Sequence, residues 1–305
     1  MFVIVAPGQG SQKPGFLEPW LANDEHRALV EQWSHALDVD LVTHGTISDE
    51  DTIKDTAVAQ PLIVAAGILT GRTLLELVPR ATPLAFAGHS VGEFTAAALA
   101  GVLSDEEALK LVAARGSAMA AASALTPTGM AAVIGSTSAN LEPVLAQHRL
   151  SAANHNGGGQ IVVAGARADL DAFAQNPPPG TRVIPLPVAG AFHTPFMASA
   201  HEALSSAAST LTARDPTHPL FTNRDGSVLT RGSDVLSSLV AQVTKPVRWD
   251  ACMASFEEHD IQGMIELAPA GALVGLAKRE LKGVPTVALH HPEDLQRASE
   301  MVMSS

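Results

Sequence analysis

The sequence predicts an α/β fold in which a large domain built on a mostly parallel sheet is interrupted by a small ferredoxin-like unit. Three observations predict it. The chain opens with an apolar run without alternation, Phe2–Ala6, which leads straight into Pro7-Gly8-Gln9-Gly10-Ser11-Gln12. Such a run suits a strand buried on both faces of a parallel sheet. A second apolar run, residues 84–87, meets a turn flanked by glycines, Gly88-His89-Ser90-Val91-Gly92, and then a strongly helical stretch over 94–100. Between 127 and 189 the order becomes strand–helix–strand–strand–helix–strand, the ferredoxin-like arrangement.

The elements follow in order. Residues 55–77, rich in Ala, Leu and Ile, read as a helix between the first two strands. Ser104-Asp105-Glu106-Glu107 is a helix start with a capping serine and an acidic first turn. That helix runs on through Leu111, Arg115 and Met119. In the central unit, 129–135, 151–154, 160–165 and 182–188 read as strands, and 138–148 and 167–174 as helices. Pro177-Pro178-Pro179-Gly180 breaks the chain before the last strand. Beyond it, helices are expected over 198–211, from 233, and over 272–281, with strands at 220–222 and 261–267. The boundaries expected are therefore 1–126 with 190–305 for the large, discontinuous domain, and 127–189 for the insert.

Composition narrows the function classes. Of 305 residues 46% are hydrophobic, enough for a sizeable core. The net charge of −12 argues against nucleic acid as a partner. The single cysteine, Cys252, forms no internal disulfide, and no Cys/His spacing suggests zinc or another metal. The N-terminus lacks a basic segment ahead of its short apolar run, so a signal peptide is not expected. The most apolar internal stretch, 61–69, is shorter than the ~20 residues that span a bilayer. A soluble cytoplasmic protein without membrane contact is expected, and a monomer.

Gly88-His89-Ser90-Val91-Gly92 fits G-x-S-x-G between a strand and a helix, the context of a nucleophile elbow. Ser90 would emerge at the edge of the sheet, with the dipole of the following helix directed at it. A serine nucleophile needs a base. Of 12 histidines, His193 stands out, in the loop Ala189-Gly190-Ala191-Phe192-His193-Thr194-Pro195 where the insert rejoins the large domain. A loop histidine at a domain junction is placed to face a cleft. A packed loop histidine fits the same residues, so composition alone leaves the base open. Arg115 sits among small apolar neighbours, either as a snorkelling surface residue or as a planar fork that grips a carboxylate.

Taken together, Pro7-Gly8-Gln9-Gly10-Ser11-Gln12, Gly88-His89-Ser90-Val91-Gly92-Glu93 and Ala191-Phe192-His193 resemble the malonyl-CoA:acyl carrier protein transacylase family. Gln60-Pro61-Leu62, Asn154 with Asn156, Gln160-Ile161-Val162, Pro246-Val247-Arg248-Trp249, residues 266–271 and Lys278-Arg279 follow in family order. Ala268-Pro269-Ala270-Gly271 departs from the family's more usual Gly-Pro-Gly. The resemblance is to the stand-alone enzyme of bacterial fatty-acid synthesis rather than to a polyketide-synthase domain.

The resemblance implies roles. Ser90 would accept the acyl group and His193 would be its base, oriented by the backbone carbonyl of Gln242 in place of a carboxylate. The backbone N–H groups of Gln9 and Val91 would form the oxyanion hole. Arg115 would clamp the malonyl carboxylate, and Phe192 would narrow the pocket against branched acyl groups. Gln60, Met119 and Asn156 would line the substrate site in a secondary way. Malonyl-CoA and acyl carrier protein would be the partners, the coenzyme A thioester being substrate, with no cofactor. An acidic carrier docking on an acidic enzyme needs a local basic patch, for which Lys278, Arg279, Lys282 and Arg182 are the candidates. Three other classes share parts of the pattern: a serine hydrolase, a nucleotide-binding α/β module, and the transacylase of malonate decarboxylase. The hydrolase would need an acidic triad member and no Arg115, and the nucleotide module lacks G-x-G-x-x-G after the first strand.

Overall fold

The structure, a computed structural model, describes residues 1–303. Its strands are β1 (Phe2–Ala6), β2 (Leu84–Gly88), β3 (Thr128–Ile134), β4 (Ser151–Gly157), β5 (Gln160–Ala166) and β6 (Arg182–Pro185). Five short ones follow: β7 (Leu220–Phe221), β8 (Val228–Leu229), β9 (Val247–Arg248), β10 (Gly263–Glu266) and β11 (Thr286–Ala288). The first helices are α1 (Asp24–Leu37), α2 (Leu41–Thr46), α3 (Glu50–Lys54), α4 (Thr56–Leu77), α5 (Gly92–Leu99) and α6 (Asp105–Leu125). The others are α7 (Ser138–Gln147), α8 (Arg167–Gln175), α9 (Ala198–Ala208), α10 (Gly232–Ala241), α11 (Trp249–Glu258), α12 (Ala272–Glu280) and α13 (Asp294–Met303).

Two sheets organise this mixed α/β fold. The larger has strand order β11-β10-β1-β2-β7-β8 and is parallel apart from the β7–β8 pair. Its central strands β1 and β2 are buried along their whole length, as uninterrupted apolar runs require. The second sheet has order β6-β3-β5-β4-β9 and is antiparallel except where β9 joins β4. Strand β9 lies outside 127–189, so the second sheet recruits chain from beyond the expected insert. Strand β6 stops at Pro185 rather than at 188. Pro187 has no N–H for a ladder, and Val188 turns back to donate to the Leu186 carbonyl.

Helix α4 has the length and composition to cross a membrane, contrary to the shorter apolar stretch expected from sequence. Most of that segment, 78% of its apolar window, is buried inside the fold. It packs beside α5 and α6 in the main core and serves as a central helix. The start of α6 is capped as its sequence predicts. Ser104 accepts from the Glu107 N–H, and the Glu107 carboxylate accepts from the Ser104 N–H.

The turn between β2 and α5 requires glycine twice. A Cβ on Gly88 would lie 2.1 Å from the Gly92 carbonyl carbon, and one on Gly92 would lie 2.2 Å from the Ala6 carbonyl oxygen. The obstacles are backbone, which cannot swing aside. Gly10, in the loop after β1, has φ +100° but open space around its Cβ position. Gly92→Ala should therefore lose about 3 kcal/mol or more, and Gly10→Ala only about 1 kcal/mol of backbone strain. Urea unfolding of the two variants compares them, and equal losses would contradict the close approach.

Candidate active site

The β2–α5 turn forces Ser90 into the left-handed region, φ +53°, which an L-residue adopts at a cost of roughly 1–2 kcal/mol. The surroundings hold it there. His89 N–H donates to the Ala6 carbonyl at 3.0 Å, and Ser90 N–H donates to Asn223 Oδ1 at 2.8 Å. The Ser90 side chain reaches His193, with Oγ 2.7 Å from Nε2. His193 also has a positive φ, +60°, in the chain that returns from the second sheet. Its Nδ1 lies 2.7 Å from the Gln242 carbonyl oxygen. That acceptor requires the Nδ1–H tautomer, which leaves Nε2 as the acceptor facing Ser90.

Arg115 is 1% exposed on α6, one of the largest fully buried side chains. Its Nη1 donates to Gln60 Oε1 at 2.6 Å. Its Nη2 donates to Gln242 Oε1 and to Ser90 Oγ, both at 3.3 Å. Among the described residues, its buried Nε has no partner. The Phe94 ring lies under the guanidinium, 5.7 Å from centroid to Cζ. A buried cation at this position is not the snorkelling alternative, since the charge itself is inside.

Burial and this cation set the protonation states. Desolvation first, and the Arg115 charge second, push the His193 imidazole down to about 3. Burial lowers Arg115 to about 9, opposed by the Glu93 charge, so it stays protonated at neutral pH. Glu93 is itself buried in the first turn of α5, and desolvation raises its carboxyl to about 7.

The other expected residues take varied places. The Gln9 loop is tied down from its own side chain, whose Nε2 donates to Thr56 Oγ1 at 3.3 Å and to the Lys54 carbonyl at 3.4 Å. Gln12 Nε2 adds a bond to the Ile53 carbonyl. Among the described residues, no acceptor engages the N–H of Gln9 or of Val91. Gln60 and Met119 are both buried, and Gln60 Nε2 donates to Met119 Sδ at 3.4 Å. That contact fixes which face of the Gln60 amide meets Arg115. Phe192 is buried in the main core beside His193. Asn156 has both ends of its amide engaged, with Oδ1 2.9 Å from His89 Nε2 and Nδ2 donating to Gln160 Oε1. It braces the turn against the second sheet. Lys278, Arg279, Lys282 and Arg182 are exposed and contribute no atom to this cluster.

Sequence reasoning overlooked Glu93, Asn223 and Phe94. Glu93 directly follows the glycine-flanked motif, and its acidity at the start of a helix reads there as an ordinary favourable dipole contact. Asn223 follows a two-residue strand, and nothing in its local sequence marks it.

Residues 3–294 match the acyl transferase domain family. The chain is 45% identical over 302 residues to the malonyl CoA-acyl carrier protein transacylase of Mycobacterium bovis, covering 99% of this chain and 100% of that protein. It is 30% identical to the Escherichia coli protein of the same name, over 98% of this chain and 99% of that one. The crystal structure of MCAT from Mycobacterium tuberculosis superposes with a TM-score of 0.95 at 46% identity, over 98% of this chain and 99% of that one.

The geometry carries a pH consequence. The unfolded chain protonates His193 near 6.5, whereas the folded chain resists until about 3. The unfolded state therefore binds more protons between these values, and His193 lowers stability as the pH falls through that window. In the folded protein the His193 ring resonances should stay those of a neutral imidazole down to about pH 5. A midpoint near 6.5 by NMR would contradict this burial.

Proposed function

The chain belongs to the acyl transferase family, and on that premise we propose its reaction: transfer of malonyl from malonyl-CoA to the phosphopantetheine thiol of an acyl carrier protein, for fatty-acid synthesis. One observation supports this choice of acyl group most strongly. The buried Arg115 guanidinium lies 3.3 Å from Ser90 Oγ, within reach of the tail of a short acyl ester formed there. A carboxylate at the end of that tail would pair with it bidentately. A lipase or thioesterase sharing the turn would have an uncharged acyl tail and no use for that cation.

The chemistry runs in two halves. His193 Nε2 takes the Ser90 proton as Oγ attacks the thioester carbonyl, and the resulting oxyanion faces the N–H groups of Gln9 and Val91. Each such donor contributes roughly 3–4 kcal/mol. The C–S bond then breaks, and His193 returns its proton to the departing sulfur of coenzyme A. That leaves malonyl on Ser90. In the second half the carrier thiol gives its proton to His193 and attacks the ester, the C–O bond breaks, and Ser90 Oγ is reprotonated. The Ser90–His193 pair performs every proton transfer, so the reaction as written uses no metal or cofactor.

His193 is a weak base here, because burial and the Arg115 charge both oppose its protonation. A malonyl carboxylate on Arg115 removes the second cause. The substrate thereby raises the basicity of the group that activates its own attacker, and acetyl-CoA, without a carboxylate, cannot. Phe192 closes the same region against branched acyl groups.

We also propose that residues 127–189 form the inserted unit and that Gly88 to Gly92 is a nucleophile elbow. The order β6-β3-β5-β4 supports the former, being that of a ferredoxin-like sheet. The positive φ of Ser90 between strand and helix supports the latter. Arg182 pairs with Ile134, Gly135 N–H donates to the Gly159 carbonyl, and Arg279 lies against Gly158, whose N–H donates to the Glu280 carboxylate. We propose that Arg182 and Arg279, with Lys278 and Lys282, outweigh Glu280 as the docking charge for an acidic carrier protein. The enzyme is proposed to be soluble and cytoplasmic, and to act as a monomer, since Ser90, His193 and Arg115 all come from one chain.

Two experiments test this. Intact-mass spectrometry should show malonyl on the wild-type protein after mixing with malonyl-CoA, and none on Ser90→Ala; a malonylated Ser90→Ala protein would remove the nucleophile. Lys278→Glu with Arg279→Glu should raise the carrier-protein KM by about tenfold at low salt, with the difference shrinking as salt is added. An unchanged KM would place carrier docking elsewhere.

A further inference from the structure

We infer that Glu93 is a positioning residue for the whole site: one buried carboxylate that orients nucleophile, base and acyl clamp together, through Asn223 and Gln242. The inference rests on the site proposed above.

Two chains of hydrogen bonds diverge from this carboxylate. Its Oε1 accepts from the Asn223 N–H at 2.7 Å, and Asn223 Oδ1 accepts from the Ser90 N–H at 2.8 Å. That branch pins the backbone of Ser90, whose φ of +53° would relax without it. Oε2 accepts from Gln242 Nε2 at 2.9 Å. Gln242 then serves the site twice. Its carbonyl oxygen meets His193 Nδ1 at 2.7 Å, and its Oε1 accepts from Arg115 Nη2 at 3.3 Å. Since its Nε2 is held by Glu93, the amide can present only Oε1 to Arg115.

The polarity of this network depends on the ionised form of Glu93, which accepts at both oxygens and prevails above about pH 7. A glutamine at 93 offers one acceptor and one donor group. Either Asn223 N–H or Gln242 Nε2 would then face a donor. Gln242 could escape by turning its amide over, but that aims an NH2 at the guanidinium. Nucleophile or clamp must lose its alignment, although the volume filled is unchanged. A serine hydrolase places its carboxylate directly on the histidine. Here the carboxylate acts one residue further out and reaches three functional groups.

The test uses Glu93→Gln and Asn223→Ala beside the wild-type protein, each checked for folding by circular dichroism. A fluorophosphonate probe measures Ser90 reactivity without needing a carboxylate on the acyl group. Acylation rates with malonyl-CoA and acetyl-CoA measure the clamp. Glu93→Gln should slow fluorophosphonate labelling by about 10- to 100-fold and cut the malonyl-over-acetyl preference by about tenfold. Asn223→Ala should slow labelling by a similar factor yet keep the preference within about twofold. Filling space alone would leave the preference of the folded fraction untouched. A folded Glu93→Gln protein with wild-type labelling and preference overturns the inference. If that variant does not fold, wild-type labelling in Asn223→Ala overturns it. A wild-type protein that is not labelled at Ser90, or that shows no malonyl preference, instead overturns the reading of the site itself.

Discussion

The structure depends on holding one positive charge inside the protein. Burying an unpaired guanidinium costs several kcal/mol, so Arg115 survives in the core only with partners on several sides. Gln60 from α4, Gln242 from the end of α10 and Ser90 from the β2–α5 turn supply the acceptors, and the Phe94 ring covers one face. Glu93 supplies the countercharge at one remove. These partners come from three parts of the chain, so the same requirement that keeps the cation buried also draws Ser90, Gln60 and the Gln242 that holds His193 together. Among the described residues, the buried Nε of Arg115 has no partner. The guanidinium's acceptors are all neutral, and the hydroxyl among them belongs to Ser90, the proposed nucleophile. A carboxylate arriving here meets a cation that has been partly satisfied but not neutralised.

The choice of a carbonyl rather than a carboxylate behind His193 follows from this arrangement. A carboxylate in direct contact with the imidazole would stabilise its charged form at all times and would compete for Arg115. The Gln242 carbonyl fixes the tautomer without adding charge. In the proposed reaction the base is then strongest when the acyl group carries its own carboxylate, which would tie selection of the substrate to the rate of its activation. Two residues with positive φ, Ser90 and His193, face each other across this contact. The strain at both is offset by hydrogen bonds to Asn223 and Gln242, and both of those lead to Glu93.

Much of this was legible in the sequence where the cause is local. The glycines that flank Ser90 are needed for backbone clearance within a few residues of one another, and the Ser104–Glu107 cap spans a single turn. The strands β1 and β2 announce their burial by unbroken apolar runs. Three features were not legible, each for a physical reason. Helix α1 buries only Val30 and Trp33, and α2 and α3 are short helices whose packing against α4 no local pattern records. The span of α4 is apolar because it lies in the core, and hydropathy does not distinguish that from lipid. The links from Glu93 to Asn223 and Gln242 join residues 130 and 149 positions apart, which no local spacing records. Gln242 itself came only through family resemblance, because a backbone carbonyl has no sequence identity of its own. The second sheet's use of β9 is likewise a tertiary event, fixed by where the chain returns after α10.

The central claim is that the Arg115 charge is reserved for the carboxylate of an acyl group carried on Ser90. A crystal structure of the malonylated enzyme tests it most directly. The malonyl carboxylate should lie on the guanidinium of Arg115, with Gln60 or Gln242 displaced from it, and the ester carbonyl oxygen should face the N–H groups of Gln9 and Val91. A malonyl group whose carboxylate points to solvent, with Arg115 still held by both Gln60 and Gln242, would contradict it.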